Sequence, residues 1–319
     1  MNKIICIGGI TVDRKITPSY SLHLATSNPV SSTYTFGGVA HNVAKNLSLL
    51  TSNVHLYSVV GPDNYGFKVK ADLKKFGIHT QNIFTLPNKS TAQYDVILNQ
   101  NGELFLALAD MEIFDHVPAD QFTQSWHEWN QNELVFLDTN LPQVIIEQAL
   151  QKARTENMKL CIDPVSVAKA RKLPPCLESI FLIKPDRLEA EALAQIPIRS
   201  LADCMKAGQL LLDKGVKNCV ISLGKHGYVL INERIKKHVP AFDVDPILDV
   251  SGAGDAFIAG ILFELQKGSS IENACQTGAA MAALTLQSTH TVHDKINLEA
   301  IKNIISKSEL REPNHESIF

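Results

Sequence analysis

Short runs of near-continuous apolar residues alternate with stretches in which apolar positions recur every three or four residues. The first kind covers residues 3–8, 54–61, 134–138, 159–163, 180–183, 218–223 and 228–231, each predicted as a buried strand. The second covers residues 38–50, 64–76, 143–154, 186–194, 200–214, 252–266, 271–286 and 297–306, each predicted as an amphipathic helix. Strands too apolar to have a wet face, separated by helices, predict an α/β fold. The expected core is a mostly parallel central sheet covered by helices on both faces.

Two segments break this rhythm. Residues 14–34 are polar and rich in Ser, Thr and Pro, while residues 91–110 alternate on either side of Asn101-Gly102. Asn-Gly between alternating runs is a hairpin signal. Both segments predict a small second sheet. The expected division is a core of residues 1–13, 36–90 and 111–319, with an outlying β region of residues 14–35 and 91–110. The alternative for the hairpin is an ordinary sheet edge. The charged tail of residues 309–319 is expected to fray.

Composition mainly excludes. The chain has 319 residues, 45% hydrophobic and 20% charged, and a chain of this length buries roughly 75% of its unfolded surface. Its net charge of −3 implies no nucleic-acid surface. No apolar run reaches the ~18 residues of a membrane span, and the N-terminus is too short and glycine-broken for a signal peptide. The six cysteines form no C-x-x-C pairs and several lie in apolar runs. Reduced thiols in a cytoplasmic protein are therefore expected. The eleven histidines are dispersed and read as surface or packing residues.

The chemistry concentrates in Asp249-Val250-Ser251-Gly252-Ala253-Gly254-Asp255-Ala256-Phe257. Two glycines open an apolar helical pattern, where free N–H groups and the positive end of the dipole make an anion site. A carboxylate in that turn repels a phosphate but can take a proton from a hydroxyl beside it. The pair suggests phosphoryl transfer from a nucleotide to an alcohol. The run is not a Walker A loop, since Asp255 follows Gly254, and not a dinucleotide fingerprint, since Phe257 stands where Gly would be needed. A plain helix start, with Gly252 as N-cap and Asp255 complementing the dipole, explains the spacing equally well.

The stretch resembles the D-x-x-G-A-G-D-x-F signature of ribokinase-like (PfkB-type) sugar and nucleoside kinases. A second family signature is similar to Gly37-Gly38-Val39-Ala40-His41-Asn42. The resemblance spans nearly the whole chain. It implies a ribokinase-like three-layer fold with a β lid over the substrate, ATP and Mg²⁺ dependence, and a homodimer joined through the lid.

The resemblance also implies roles, each set against a plainer one. Asp255 becomes the catalytic base, with Gly252 opening its turn and the amides of Ala253, Gly254 and Asp255 stabilising developing charge. Asp13 would hold sugar hydroxyls over a floor of Gly37, Gly38 and Asn42, where the glycines could otherwise simply cap a helix. Lys184-Pro185-Asp186-Arg187-Leu188-Glu189 is similar to an N-x-x-E magnesium motif, with Asp186 standing where the family has Asn. Glu189 would hold Mg²⁺ through water, unless both acids merely open a helix. Ser222, Gly224 and Gly227 resemble the nucleotide loop but suit a hairpin turn almost as well. Residues 278–288 would flank the adenine. Asp249, alternatively a turn cap, and Ser288 would serve a monovalent cation such as K⁺.

Three stretches narrow the substrate: the Gly37–Asn42 signature, Ala109-Asp110-Met111 and Asp163-Pro164-Val165-Ser166. They resemble pseudouridine kinases within the family. Nucleoside contacts are expected from Gln93, Asp110, Met111, Asn140 and Lys169. The competing readings are a kinase of another small sugar or nucleoside, such as ribose, fructose or adenosine, and a non-catalytic sugar sensor. Retention of Asp255, Gly252, Gly254 and Glu189 argues against a sensor.

Overall fold

The computed structural model describes residues 3–129 and 133–309; most of the tail expected to fray lies outside them. In chain order the strands are β1 (Ile4–Ile7), β2 (Thr11–Pro18), β3 (Val30–Gly37), β4 (Val54–Val60), β5 (Ile83–Thr85), β6 (Gln93–Leu98), β7 (Leu104–Asp110), β8 (Leu134–Asp138), β9 (Lys159–Asp163), β10 (Ile180–Ile183), β11 (Asn218–Ser222), β12 (Tyr228–Ile231) and β13 (Lys236–Val239). The helices are α1 (Val39–Ser48), α2 (Asn64–Lys75), α3 (Ala119–Thr123), α4 (Gln143–Thr155), α5 (Val167–Ala170), α6 (Arg187–Ala194), α7 (Leu201–Asp213), α8 (Ala253–Gln266), α9 (Ile271–Leu286) and α10 (Leu298–Glu309).

Nine strands form the main sheet in the order β13-β12-β11-β10-β9-β8-β1-β4-β5. Neighbours pair in parallel except β11 with β12 and β12 with β13. Successive side chains of a strand leave on opposite faces, and each face meets its own core. Ile5, Ile7, Val135 and Leu137 pack with α4, α6 and α7, while Ile4, Cys6, Leu134 and Phe136 pack with α1, α8, α9 and α10. Double burial explains why these strands are apolar throughout. Five of the six cysteines are buried within this core and none is paired. Among the described residues no helix is long and apolar enough to cross a membrane.

The second sheet has the order β3-β2-β6-β7. It takes in both polar segments, and its Asn99–Glu103 turn carries Gly102 at φ +81°. Burial is poor here: β7 exposes Leu104, Phe105, Leu106 and Leu108. Four elements left no periodic trace, among them α3 with its five residues. Strand β5 has three residues, α5 has four, and β13 reads Lys-Lys-His-Val, an edge strand carrying charge. Edge strands tolerate such sequences because one side faces water.

All parallel strands of the main sheet end on one side. There β1, β8, β9 and β10 deliver Gly8, Asp138, Asp163 and Lys184 to the foot of α1 and α8. Open α/β sheets bind ligands at this edge.

Candidate active site

Gly252 makes the turn into α8 with φ +78°, and a Cβ there would lie 2.0 Å from the Thr291 carbonyl oxygen. No other residue fits. The helical ladder starts at Ala256, whose N–H donates to Gly252 (2.9 Å). The amides of Gly254 and Asp255 therefore lie outside the ladder at the positive end of the dipole. A Cβ on Gly254 would meet nothing nearer than Lys184 Nζ at 3.8 Å, so the space above this turn is open.

Asp255 is the third helical residue. Its Oδ2 accepts from Asn42 Nδ2 at 2.8 Å, which joins two motifs 213 residues apart. Burial raises its carboxyl to about 7; Asn42 opposes the shift and the Asp163 charge adds to it. A carboxyl poised near neutrality suits a general base.

Asp13, Gly37 and Gly38, expected to form a sugar floor, lie close together beside Asn42. Asp13 lies in β2, paired across from Thr35, and its Oδ1 accepts from Thr11 Oγ1 (2.7 Å). Burial raises its carboxyl. Gly37 has no room for a side chain, since a Cβ would sit 2.0 Å from Asp13 Oδ2; at Gly38 (φ +97°) a Cβ would sit 2.4 Å from the Gly9 carbonyl oxygen. Beneath them lies Asp138, fully buried at the end of β8. Its carboxylate accepts from the N–H groups of Gly9 and Ala40 and from both N and Nδ2 of Asn140, all at 2.9 Å.

Asn140, Lys169 and Met111 meet. Lys169 Nζ donates to Asn140 Oδ1 and lies 3.8 Å from Met111 Sδ. Lys172 Nζ donates to the carbonyls of Asn140 and Leu141, both at 3.0 Å. Burial lowers the pKa of Lys169. Gln93 and Asp110 face one another across β6 and β7, with Gln93 beside Val12 of β2.

On the other side of Asp255 the residues are acidic. Asp186 caps α6 and forms a capping box with Glu189. Glu189 N donates to Asp186 Oδ1 (2.8 Å) and Asp186 N donates to Glu189 Oε2 (2.9 Å). Glu189 is 6% exposed; burial lifts its carboxyl to about 7, and the Asp163 charge adds to this. Lys184 Nζ pairs with Asp163 Oδ2 at 2.9 Å. Ser222 N donates to the Pro185 carbonyl (3.0 Å), which ties β11 to the start of α6. Gly224 (φ +58°) has open space around its Cα, whereas a Cβ on Gly227 would sit 2.0 Å from the Val239 carbonyl oxygen. A cleft of about 390 Å³ opens between Asp186, Leu188, Ser222, Gly224 and His226.

Asp249 and Ser288 belong to adjoining segments, since the N–H of Leu248 donates to the Leu286 carbonyl at 2.8 Å. Each side chain closes its own turn. Asp249 Oδ1 accepts from Ser251 N (2.8 Å), and Ser288 Oγ accepts from His290 N (3.0 Å).

Sequence reasoning missed Asp138, Asp163 and Lys184 as parts of this site. Their signal was one charged residue closing each of three apolar runs in succession, at the strand ends where ligands bind.

Open amides at a helix start, a carboxylate among them and a polar floor beside them define an ATP-using phosphotransferase with an alcohol acceptor. The chain belongs to the pfkB family of carbohydrate kinases, whose model matches residues 1–297. It is 26% identical to the pseudouridine kinase of Escherichia coli over 306 residues, covering 96% of this chain and 97% of that protein. It is 27% identical to the guanosine-inosine kinase of Exiguobacterium acetylicum, covering 91% and 96%. The Arabidopsis thaliana ribokinase structure with ribose and ATP superposes with a TM-score of 0.82 at 18% identity, covering 96% of this chain and 99% of that one. This superposition establishes the shared ribokinase-like fold.

Proposed function

We propose that this kinase transfers the γ-phosphoryl group of ATP to the 5′-hydroxyl of pseudouridine. One observation carries the reading: the two sequence stretches most distinctive of that substrate converge. Lys169, from the stretch beginning Asp163-Pro164-Val165-Ser166, meets Met111, from Ala109-Asp110-Met111, and also donates to Asn140. An ammonium and a carboxamide beside the sugar floor suit the carbonyl and N–H edge of a pyrimidine. A buried partner for the second ring N–H of a C-glycoside would reject uridine, because that partner would be left unpaired.

In this mechanism Asp13 and Asn42 orient the ribose over Gly37 and Gly38. Asp255 takes the proton of the 5′-hydroxyl as its oxygen attacks the γ-phosphorus. The amides of Ala253, Gly254 and Asp255 stabilise the charge on the transferring group. Ser222, Gly224 and Gly227 belong to the nucleotide side. Among the described residues no three His, Cys, Asp or Glu side chains are grouped to grip a metal directly. Glu189, buried beside Asp163, fits Mg²⁺ held through water, where the ion would offset phosphate charge. Asp249 and Ser288 are the proposed neighbours of K⁺. The exposed apolar edge strand β7 is the proposed seam of a homodimer.

A substrate panel tests the reading: pseudouridine, uridine, guanosine, inosine, ribose, fructose and adenosine, each with ATP and Mg²⁺. Turnover on pseudouridine far above uridine is expected. The similarity to a guanosine-inosine kinase favours another nucleoside as the second reading, and preferred turnover on guanosine or inosine would establish it.

A further inference from the structure

Lys184 has no part in the chemistry derived so far, yet it is the most deeply placed cation of the site. It follows β10, and its backbone N–H donates to the Ile162 carbonyl (3.0 Å), which fixes it against the end of β9. Its side chain is 6% exposed and pairs with Asp163 at 2.9 Å. Asp163 is itself held, with Oδ1 accepting from Val165 N (2.8 Å). The ammonium is thus aimed from a rigid strand end by a rigid partner.

Two features separate this pair from a merely structural one. The first is where the ammonium looks. Among the described residues outside the turn and helix of Gly254 itself, Nζ is the only heavy atom within 4 Å of a Cβ built there, so it borders the open space above the turn that carries the amides and Asp255. The second is charge. Asp163, Glu189 and Asp255 all act on this one ammonium, whereas a structural ion pair needs one acid. Buried pairs are often replaceable by apolar residues without loss of stability. Furthermore, an ammonium has three N–H donors, and among the described residues Asp163 is the acceptor the structure gives it.

We infer that Lys184 is a catalytic residue of the phosphoryl transfer, its ammonium contacting the γ-phosphoryl group opposite the amides of Gly254 and Asp255, with Asp163 as the residue that positions it. This rests on the phosphotransferase reading of the site but not on the identity of the acceptor. In the step, the acceptor oxygen forms a bond to the γ-phosphorus. The bond to the bridging oxygen breaks, and its electron pair leaves with ADP. The hydroxyl proton passes to Asp255. Lys184 neither gains nor loses a proton; it stabilises negative charge on the non-bridging oxygens, a role for which a fixed donor in a dry site is effective.

The test compares wild type with Lys184→Met and Lys184→Arg in the full chain with Mg²⁺. Affinities for ATP and ADP are measured by calorimetry, and kcat and KM with the best acceptor of the panel. Lys184→Met should lower kcat by about 10²–10³-fold with little change in the acceptor KM. Its ATP affinity should fall by about tenfold, as for loss of a charged hydrogen bond, with ADP affinity kept within about twofold. Lys184→Arg should restore part of kcat. An unchanged kcat, or equal losses for ATP and ADP, overturns the inference. If Lys184→Met does not fold, Asp163→Asn takes its place. It should lower kcat while leaving ADP affinity and acceptor KM in place, and an unchanged kcat would again overturn the idea. Wild type that phosphorylates no nucleoside defeats the substrate reading alone, because the comparison of ATP with ADP needs no acceptor.

Discussion

Asp138 and Asp163 are register partners at the ends of β8 and β9, yet they sit in opposite electrostatic surroundings. Asp138 is enclosed by four N–H donors from three chain segments, and the dipoles around it are complete without a ligand. Asp163 shares one ammonium with Glu189 and Asp255, and two of those three carboxyls are pushed to about 7. Adjacent strands thus end in a settled half, on the side proposed for the acceptor, and an unsettled half, where negative charge exceeds the fixed positive charge. A phosphotransferase needs both. The floor must be rigid before the substrate arrives, and the transfer end must stay responsive to protons and cations. Burial raises the Asp138 carboxyl too, with its four donors opposing the shift, so the halves differ in their supply of donors rather than in burial.

The largest expected effect falls on the unsettled half. Asp255→Asn keeps the shape but removes the base, and kcat should drop by about 10²–10⁴-fold while acceptor binding, followed by calorimetry, persists. Retained turnover would mean that Asp255 is only a helix cap. On the settled half the damage should be different in kind. Asp138→Ala orphans four donors in the interior, and leaving buried groups unpaired costs about 1–3 kcal/mol or more. Thermal melting should show that loss, together with a raised acceptor KM and an unchanged ADP affinity. If ADP affinity falls as well, the two halves are not separable. A smaller effect is expected at the edge of the floor. Lys169→Met should raise the pseudouridine KM by roughly tenfold, as for one charged hydrogen bond, with kcat nearly constant. An unchanged KM would remove Lys169 from the nucleoside site.

Legibility in the sequence followed the same division. Apolar runs and helical periods marked the main sheet because its strands are buried on both faces, where composition and structure coincide. Asn101-Gly102 marked the hairpin because turn chemistry is local. The glycine motifs were legible because Gly252, Gly37 and Gly38 tolerate no side chain, so geometry is written in residue type. The contact between Asn42 and Asp255 was not legible from spacing, since it depends on α1 and α8 packing side by side. The roles of Asp138, Asp163 and Lys184 were hidden for a related reason. A charged residue at a strand end looks like the start of a loop until the neighbouring strand ends are known. Edge strand β13 was invisible because Lys236 and Lys237 are exposed and His238 and Val239 only half-buried, so no core selects an apolar pattern there.

The smallest effect offers the sharpest test of the unsettled half. Glu189 has an ordinary carboxyl when unfolded, with a pKa of 4.5, but about 7 when folded. The native state therefore holds more protons than the unfolded state between those values, and stability must fall as pH rises through that window. Asp255 carries the same sign, from 3.8 to about 7. It makes kcat rise with pH up to about 7, because the base must be ionised. Glu189→Gln removes one ionisation while keeping an oxygen able to accept from Asp186 N, so the capping box survives. In chelator, the melting temperature of Glu189→Gln relative to wild type should be higher at pH 8 than at pH 5. The gain at pH 8 arises because the wild type must bury an ionised Glu189 next to Asp163 and the variant does not. An equal difference at both pH values would mean that Lys184 and the α6 dipole already neutralise Glu189. The contrast between the two strand ends would then rest on Asp255 alone.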